Sequence, residues 1–121
     1  MGDIAVFQVE SLISKNKTEG TPAYTRGRQL RFIGIPANMT GGNLSLHGSM
    51  DGQKWFPVRI SNGTVLTFST MVSNPKEVLS TQDSAAIIPI ANPALFEGIL
   101  FLAAVSDRPE SEDQKVEFYL L

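Results

Sequence analysis

Short runs in which apolar and polar residues alternate recur along this chain, each cut off by turn residues. No window long enough to matter carries helical periodicity. That pattern confines the chain to an all-β fold. The first alternation sets Ala5, Phe7 and Val9 against Val6, Gln8 and Glu10. The next strand is expected over Gln29 to Ile35, with Leu30 and Phe32 on one face and Arg31 and Ile33 on the other. Pro36 ends its ladder, because proline has no N–H to donate. Residues 14–28 between them are rich in Lys, Thr, Gly, Pro and Arg and read as a loop or an extended arm.

The segment 43–60 reads as a β-hairpin. Leu44, Leu46 and Gly48 share one face, and Ser45, His47 and Ser49 the other. Asp51-Gly52 supplies the turn, since glycine accepts a positive φ. Trp55, Phe56, Val58 and Ile60 form the return. Asn62-Gly63 is a second turn, before a strand carrying Val65, Leu66 and Phe68. Residues 73–84 read as a polar loop. Ala86 to Ile90 is apolar, but Pro89 sends it to a sheet edge or a bulge. Asn92-Pro93 reads as a capped helix start, one turn long, ended by Gly98. Ile99 to Val105 is apolar on both faces, as a central strand is. It needs cover on both sides, from a subunit contact or from a folded-over loop. Asp107 to Asp113 reads as a solvated charged turn, and Val116, Phe118 and Leu120 as the inward face of the last strand.

With 121 residues, 10 Gly and 7 Pro, this describes one β-sandwich or jelly-roll-like domain spanning 1–121, with one short helical turn. Composition then excludes function classes. The formal net charge is -2, against a general nucleic-acid binder. There is no Cys and a single His, so thiolate and multi-histidine metal sites are excluded within one chain. No apolar run approaches the length of a membrane-spanning helix, and the N-terminus has no basic, apolar leader pattern. A soluble product made in a cytoplasm is expected. Gly2 does not open a myristoylation motif.

Candidate chemistry is sparse. His47 is flanked on its strand face by Ser45 and Ser49, but neighbours on one strand make no base–nucleophile–orienter triad. Asp107, Glu110, Glu112 and Asp113 form an acidic cluster without the ligand spacing or central glycine of a calcium loop. No catalytic residue, no metal and no cofactor is expected, and the chain is not read as an enzyme. Arg26, Arg28 and Arg31 gather where residues 14–28 meet the second strand. They fit an acidic partner surface, because arginine makes paired hydrogen bonds to carboxylates. They also fit a hydrated edge that discourages strand pairing. Trp55 is expected in the core, pinning the sheets, with a sugar platform shared with Tyr24 as the other reading. Phe56, its neighbour, points to the opposite face and joins the three arginines as a candidate partner contact.

Leu44-Ser45-Leu46 leading to Ser49-Met50-Asp51-Gly52, with Trp55 and Pro57-Val58, resembles small virion proteins of tailed bacteriophages. So does Asn92-Pro93-Ala94-Leu95-Phe96-Glu97-Gly98 feeding an apolar strand. The similarity runs over residues 28–106. It departs in a long segment at 70–84 and a charged last strand. The resemblance implies a structural virion part, a capsid decoration (cement) protein with a jelly-roll-like sandwich, seated as a trimer on the capsid surface against the major capsid protein. It implies no nucleic-acid or membrane partner. The segments 14–28 and 70–84 would reach neighbouring subunits. The alternative is a receptor- or carbohydrate-binding β-sandwich module on a head or tail fibre.

Overall fold

The computed structural model describes residues 6–60, 62–70 and 86–121. Ala5 and the polar stretch 73–84 lie outside them. The strands are β1 (Phe7–Ile13), β2 (Ala23–Tyr24), β3 (Leu30–Ile35), β4 (Asn43–Ser49), β5 (Phe56–Pro57), β6 (Thr67–Ser69), β7 (Ala86–Pro89), β8 (Phe101–Ser106) and β9 (Gln114–Leu120). One 3-10 turn, Pro93–Phe96, is the only helical element among the described residues.

Two antiparallel sheets face each other. One has the order β1-β9-β3-β7 and the other β2-β8-β4-β5, with β6 also on β4. β5 and β6 lie beside different halves of β4, at His47–Gly48 and Asn43–Ser45, so they fill one strand position between them. Counted that way the order is 1-8-3-6 over 2-7-4-5, the double-sheet β-sandwich of a jelly roll. Leu30, Ile33, Leu44, Leu46, Leu102, Ala104, Val116, Phe118 and Leu120 are all buried in its core, and the alternation marks Leu44 and Leu46 in β4 and Val116, Phe118 and Leu120 in β9. Pro89 lies in β7, an edge strand, where its missing N–H leaves no gap in the sheet.

Three local expectations are corrected. Leu30 and Phe32 do not share a face. The β3–β9 register shifts between them, so Leu30 and Ile33 both point inward while Phe32 is exposed. A bulge absorbs one residue and reverses the alternation beyond it. Asn92 makes no side-chain cap to the 3-10 turn, which is closed by backbone bonds: Leu95 N–H donates to Asn92 C=O at 3.1 Å. Gly98 follows at φ +91°, a conformation that glycine adopts without a Cβ clash.

The third concerns residues 14–28, which are bound along their own chain rather than extended from it. Thr21 N–H donates to Leu12 C=O (2.9 Å), Gly20 N–H to Ala104 C=O (2.7 Å) and Thr25 N–H to Leu100 C=O (2.8 Å), while Ser106 N–H donates to Thr18 C=O (2.8 Å). The segment therefore straps β1 of one sheet to β8 of the other. β8 is central, between β2 and β4, as its apolar character demands. Its outer face is covered in part by this chain: Ala103 is buried, and the Tyr24 ring sits 5.1 Å from that of Phe101.

Candidate partner interface

β4 turns Leu44 and Leu46 inward and His47 outward, as its alternation requires. His47 pairs with Ala103 on one side and Pro57 on the other. Ser49 is not a free hydroxyl beside it. It is 1% exposed, and its Oγ accepts from the Gly52 N–H (2.7 Å) and donates to Asp51 (3.2 Å), so it builds the hairpin turn. Among the described residues no three His, Cys, Asp or Glu side chains come together as a metal cluster would.

The acidic run 107–113 is not simply a solvated turn. Glu110 is 1% exposed. Its carboxylate accepts from Thr40 N–H (2.7 Å), Gly41 N–H (2.9 Å) and Ser106 Oγ (2.6 Å). Asp107 accepts from Gly42 N–H (3.0 Å), and Asp113 from Lys15 N–H (2.7 Å). These carboxylates satisfy backbone donors that loops leave orphaned, which is a structural use. Gly41 lacks a side chain for the same reason: a Cβ there would stand 2.1 Å from Ser106 Oγ and 2.8 Å from Asp107 Oδ1.

The arginines gather at the opposite end of the sandwich. Arg26 and Arg28 line a shallow hollow of about 370 Å3 with Phe7, Tyr24 and Leu120. Arg31 lines the adjoining one with Val6, Phe32 and Leu120. The Arg28 guanidinium lies 3.9 Å from the centre of the Phe7 ring, and that of Arg26 lies 5.6 Å from Tyr24. Such contacts contribute about 0.5–1 kcal/mol each at exposed sites. Val6, Phe7, Tyr24 and Phe32 are exposed around them. None of the three guanidiniums meets a carboxylate among the described residues, where the one ion pair is Lys115 to Glu10 at 3.8 Å. The result is an arginine–aromatic surface with unspent hydrogen-bond donors. Phe56 does not belong to it. It is 62% exposed on the β5 edge, in a separate hollow with Met50, Arg59 and Leu95.

Phe7 was not legible as part of this surface, since nothing in the sequence brings residue 7 to residue 28. Trp55 is also not in the core, where it was expected to pin the sheets. It is half-buried on the outer face of the β2-β8-β4 sheet, outside the core, against His47, Ala103 and Val105. The hairpin pairs Gly48 with Phe56, so Phe56 takes the core side but lies past its rim, and Trp55 falls on the outer side. Comparison with family models, with curated proteins and with solved structures finds no match to this chain.

Proposed function

We propose that this chain is a structural part of a bacteriophage particle, a capsid decoration protein that docks by its arginine–aromatic end on assembled major capsid protein. The observation that carries the reading is the gathering of Arg26, Arg28 and Arg31 with exposed Val6, Phe7, Tyr24 and Phe32, with no carboxylate committed to the guanidiniums among the described residues. Arginine and aromatic side chains are the types enriched in protein interfaces, and guanidinium forks pair with carboxylates. The jelly-roll order suits the role, because that architecture serves capsid and lectin domains alike. The motif resemblance at 44–58 and 92–98 narrows it to phage virions.

The mechanism is linkage. A protein that binds the assembled shell, and not its free subunits, stabilises the shell by its differential affinity. Seating as a trimer multiplies a modest contact, since linked sites gain effective concentration. The chain would be made in the host cytoplasm and end on the virion surface. Mass spectrometry of separated head and tail fractions tests this. The reading expects the chain on heads, expects shells without it to rupture at a lower temperature, and expects Arg28→Glu with Arg31→Glu to abolish rebinding in a folded protein. A chain found only in tail fractions, or charge reversal without effect on rebinding, overturns it.

A further inference from the structure

We propose that the hollow between Trp55, His47 and Glu19 is a binding site for a neutral saccharide. The hollow lies on the outer face of the β2-β8-β4 sheet. It is about 300 Å3, lined by Glu19, Gly20, Pro22, His47, Trp55, Ala103 and Val105. That is the lower end of the range for small-molecule sites, ~300–1,000 Å3, and fits one or two sugar rings.

Each part of the wall has a chemistry. β8 gives a floor of small and branched apolar side chains, Ala103 and Val105, so nothing bulky fills the depression. The strap holds Glu19 and Pro22 as one rim, fixed by the Glu19–Val105 bridge and by the Gly20 N–H bond to Ala104. The hairpin return supplies the opposite rim, the half-buried indole of Trp55. Indole presents a flat apolar face with one N–H donor at its edge. A pyranose ring has the matching character, with an apolar C–H face and hydroxyls around its rim.

The polar groups decide between ligands. Neither the His47 imidazole nor the Glu19 carboxylate has a hydrogen-bond partner among the described residues.

 An imidazole donates and accepts, and a carboxylate accepts only, which suits neighbouring hydroxyls on one ring. Among the described residues no Lys or Arg lines the hollow. A phosphorylated or carboxylated ligand, a nucleotide included, would set its anion against Glu19 with no cation to offset it. The site therefore favours neutral sugars over acidic ones. It stands independently of the capsid reading, since it lies apart from Arg26, Arg28 and Arg31.

Trp55 is the only tryptophan, so its emission reports the site directly. The experiment titrates the full chain with glucose, galactose, mannose, N-acetylglucosamine and their short oligomers, and with glucuronate and N-acetylneuraminate as acidic controls. The expected result is a saturable change in emission with at least one neutral sugar, and binding of the acidic controls weaker by about tenfold or more. Glu19→Gln and His47→Ala, each retaining the unfolding midpoint of the parent, should each weaken neutral-sugar binding by about tenfold, the loss of one or two hydrogen bonds. A folded protein with no saturable response to any of the neutral sugars overturns the proposal. So does binding that neither substitution alters.

Discussion

The Ser11 hydroxyl accepts the N–H of Ala104 at 3.0 Å and donates to Thr21 C=O at 2.6 Å. Ser11 belongs to β1 and Ala104 to β8, so one side chain joins the two sheets and fills a gap in the ladder between β8 and the strap. Both residues are 0% exposed, so the bond is buried away from solvent. Ser11→Ala leaves the Ala104 N–H buried and unpaired, which costs about 1–3 kcal/mol. Urea unfolding should show a lower midpoint with an unchanged slope, because the surface exposed on unfolding is the same.

Gly20 faces that hydroxyl. A Cβ at position 20 would stand 2.2 Å from Ser11 Oγ, and 3.1 Å from the Ala104 carbonyl oxygen. Gly20→Ala alone should destabilise by about 1–3 kcal/mol through overpacking. Combined with Ser11→Ala, the clashing oxygen is gone and the new methyl group enters its place. The double variant should therefore be more stable than the sum of the two single losses predicts, by about 0.5 kcal/mol or more. Simple additivity in a double-mutant cycle would show that the Ser11 hydroxyl is not what excludes a side chain at 20.

These contacts explain what the sequence did and did not disclose. Val116, Phe118 and Leu120 were legible because period-two alternation in β9 meets the core with no interruption. Leu30 and Phe32 were misread because a bulge is a one-residue shift in pairing, and pairing is set by the neighbouring strand β9. Arg26, Arg28 and Arg31 were found together because they are close along the chain. Their partner Phe7 comes from another strand, and only the fold brings it there. Trp55 was placed in the core by its bulk, but the register with β4 puts it on the outer face. Glu110 looked solvated among charged neighbours. Its burial follows from the orphan N–H groups of Thr40 and Gly41, which no local pattern at 107–113 encodes.

Glu110 yields the next prediction. Its two oxygens take two backbone N–H groups and one hydroxyl, and a carboxylate is acceptor-only, so every bond runs the same way. Glu110→Gln exchanges one oxygen for an NH2 that faces a donor. At least one bond to Thr40, Gly41 or Ser106 is lost and a buried donor is left facing another. Hydrogen bonds to charged groups contribute about 1.5–3 kcal/mol, and the loss should fall in that range. Hydrogen exchange should localise it, with the amides of Thr40 and Gly41 losing protection before those of β4.

Two groups give stability a dependence on pH, at opposite ends of the scale. The Asp51 carboxylate accepts the Lys54 and Gln53 N–H groups, which hold its pKa below the ordinary 3.8. A folded-state pKa that is depressed contributes stability above the unfolded value and loses it as pH falls through the folded one. The difference in stability between the parent chain and Asp51→Asn should therefore stay constant near neutrality and close below pH 3.8. The Tyr119 hydroxyl donates to Glu117 Oε1 at 2.7 Å, and that hydrogen bond, with the carboxylate's charge, raises its pKa above 10.0. A raised pKa has the reverse consequence: the contribution is complete below the unfolded value and disappears as pH rises through the folded one. Tyr119→Phe should cost stability at neutral pH, and that cost should shrink once the pH passes 10.0. Urea midpoints at acid, neutral and alkaline pH for the parent and both variants check the two signs together. A Tyr119→Phe deficit that widens in alkali would mean that Glu117 does not hold the phenol proton.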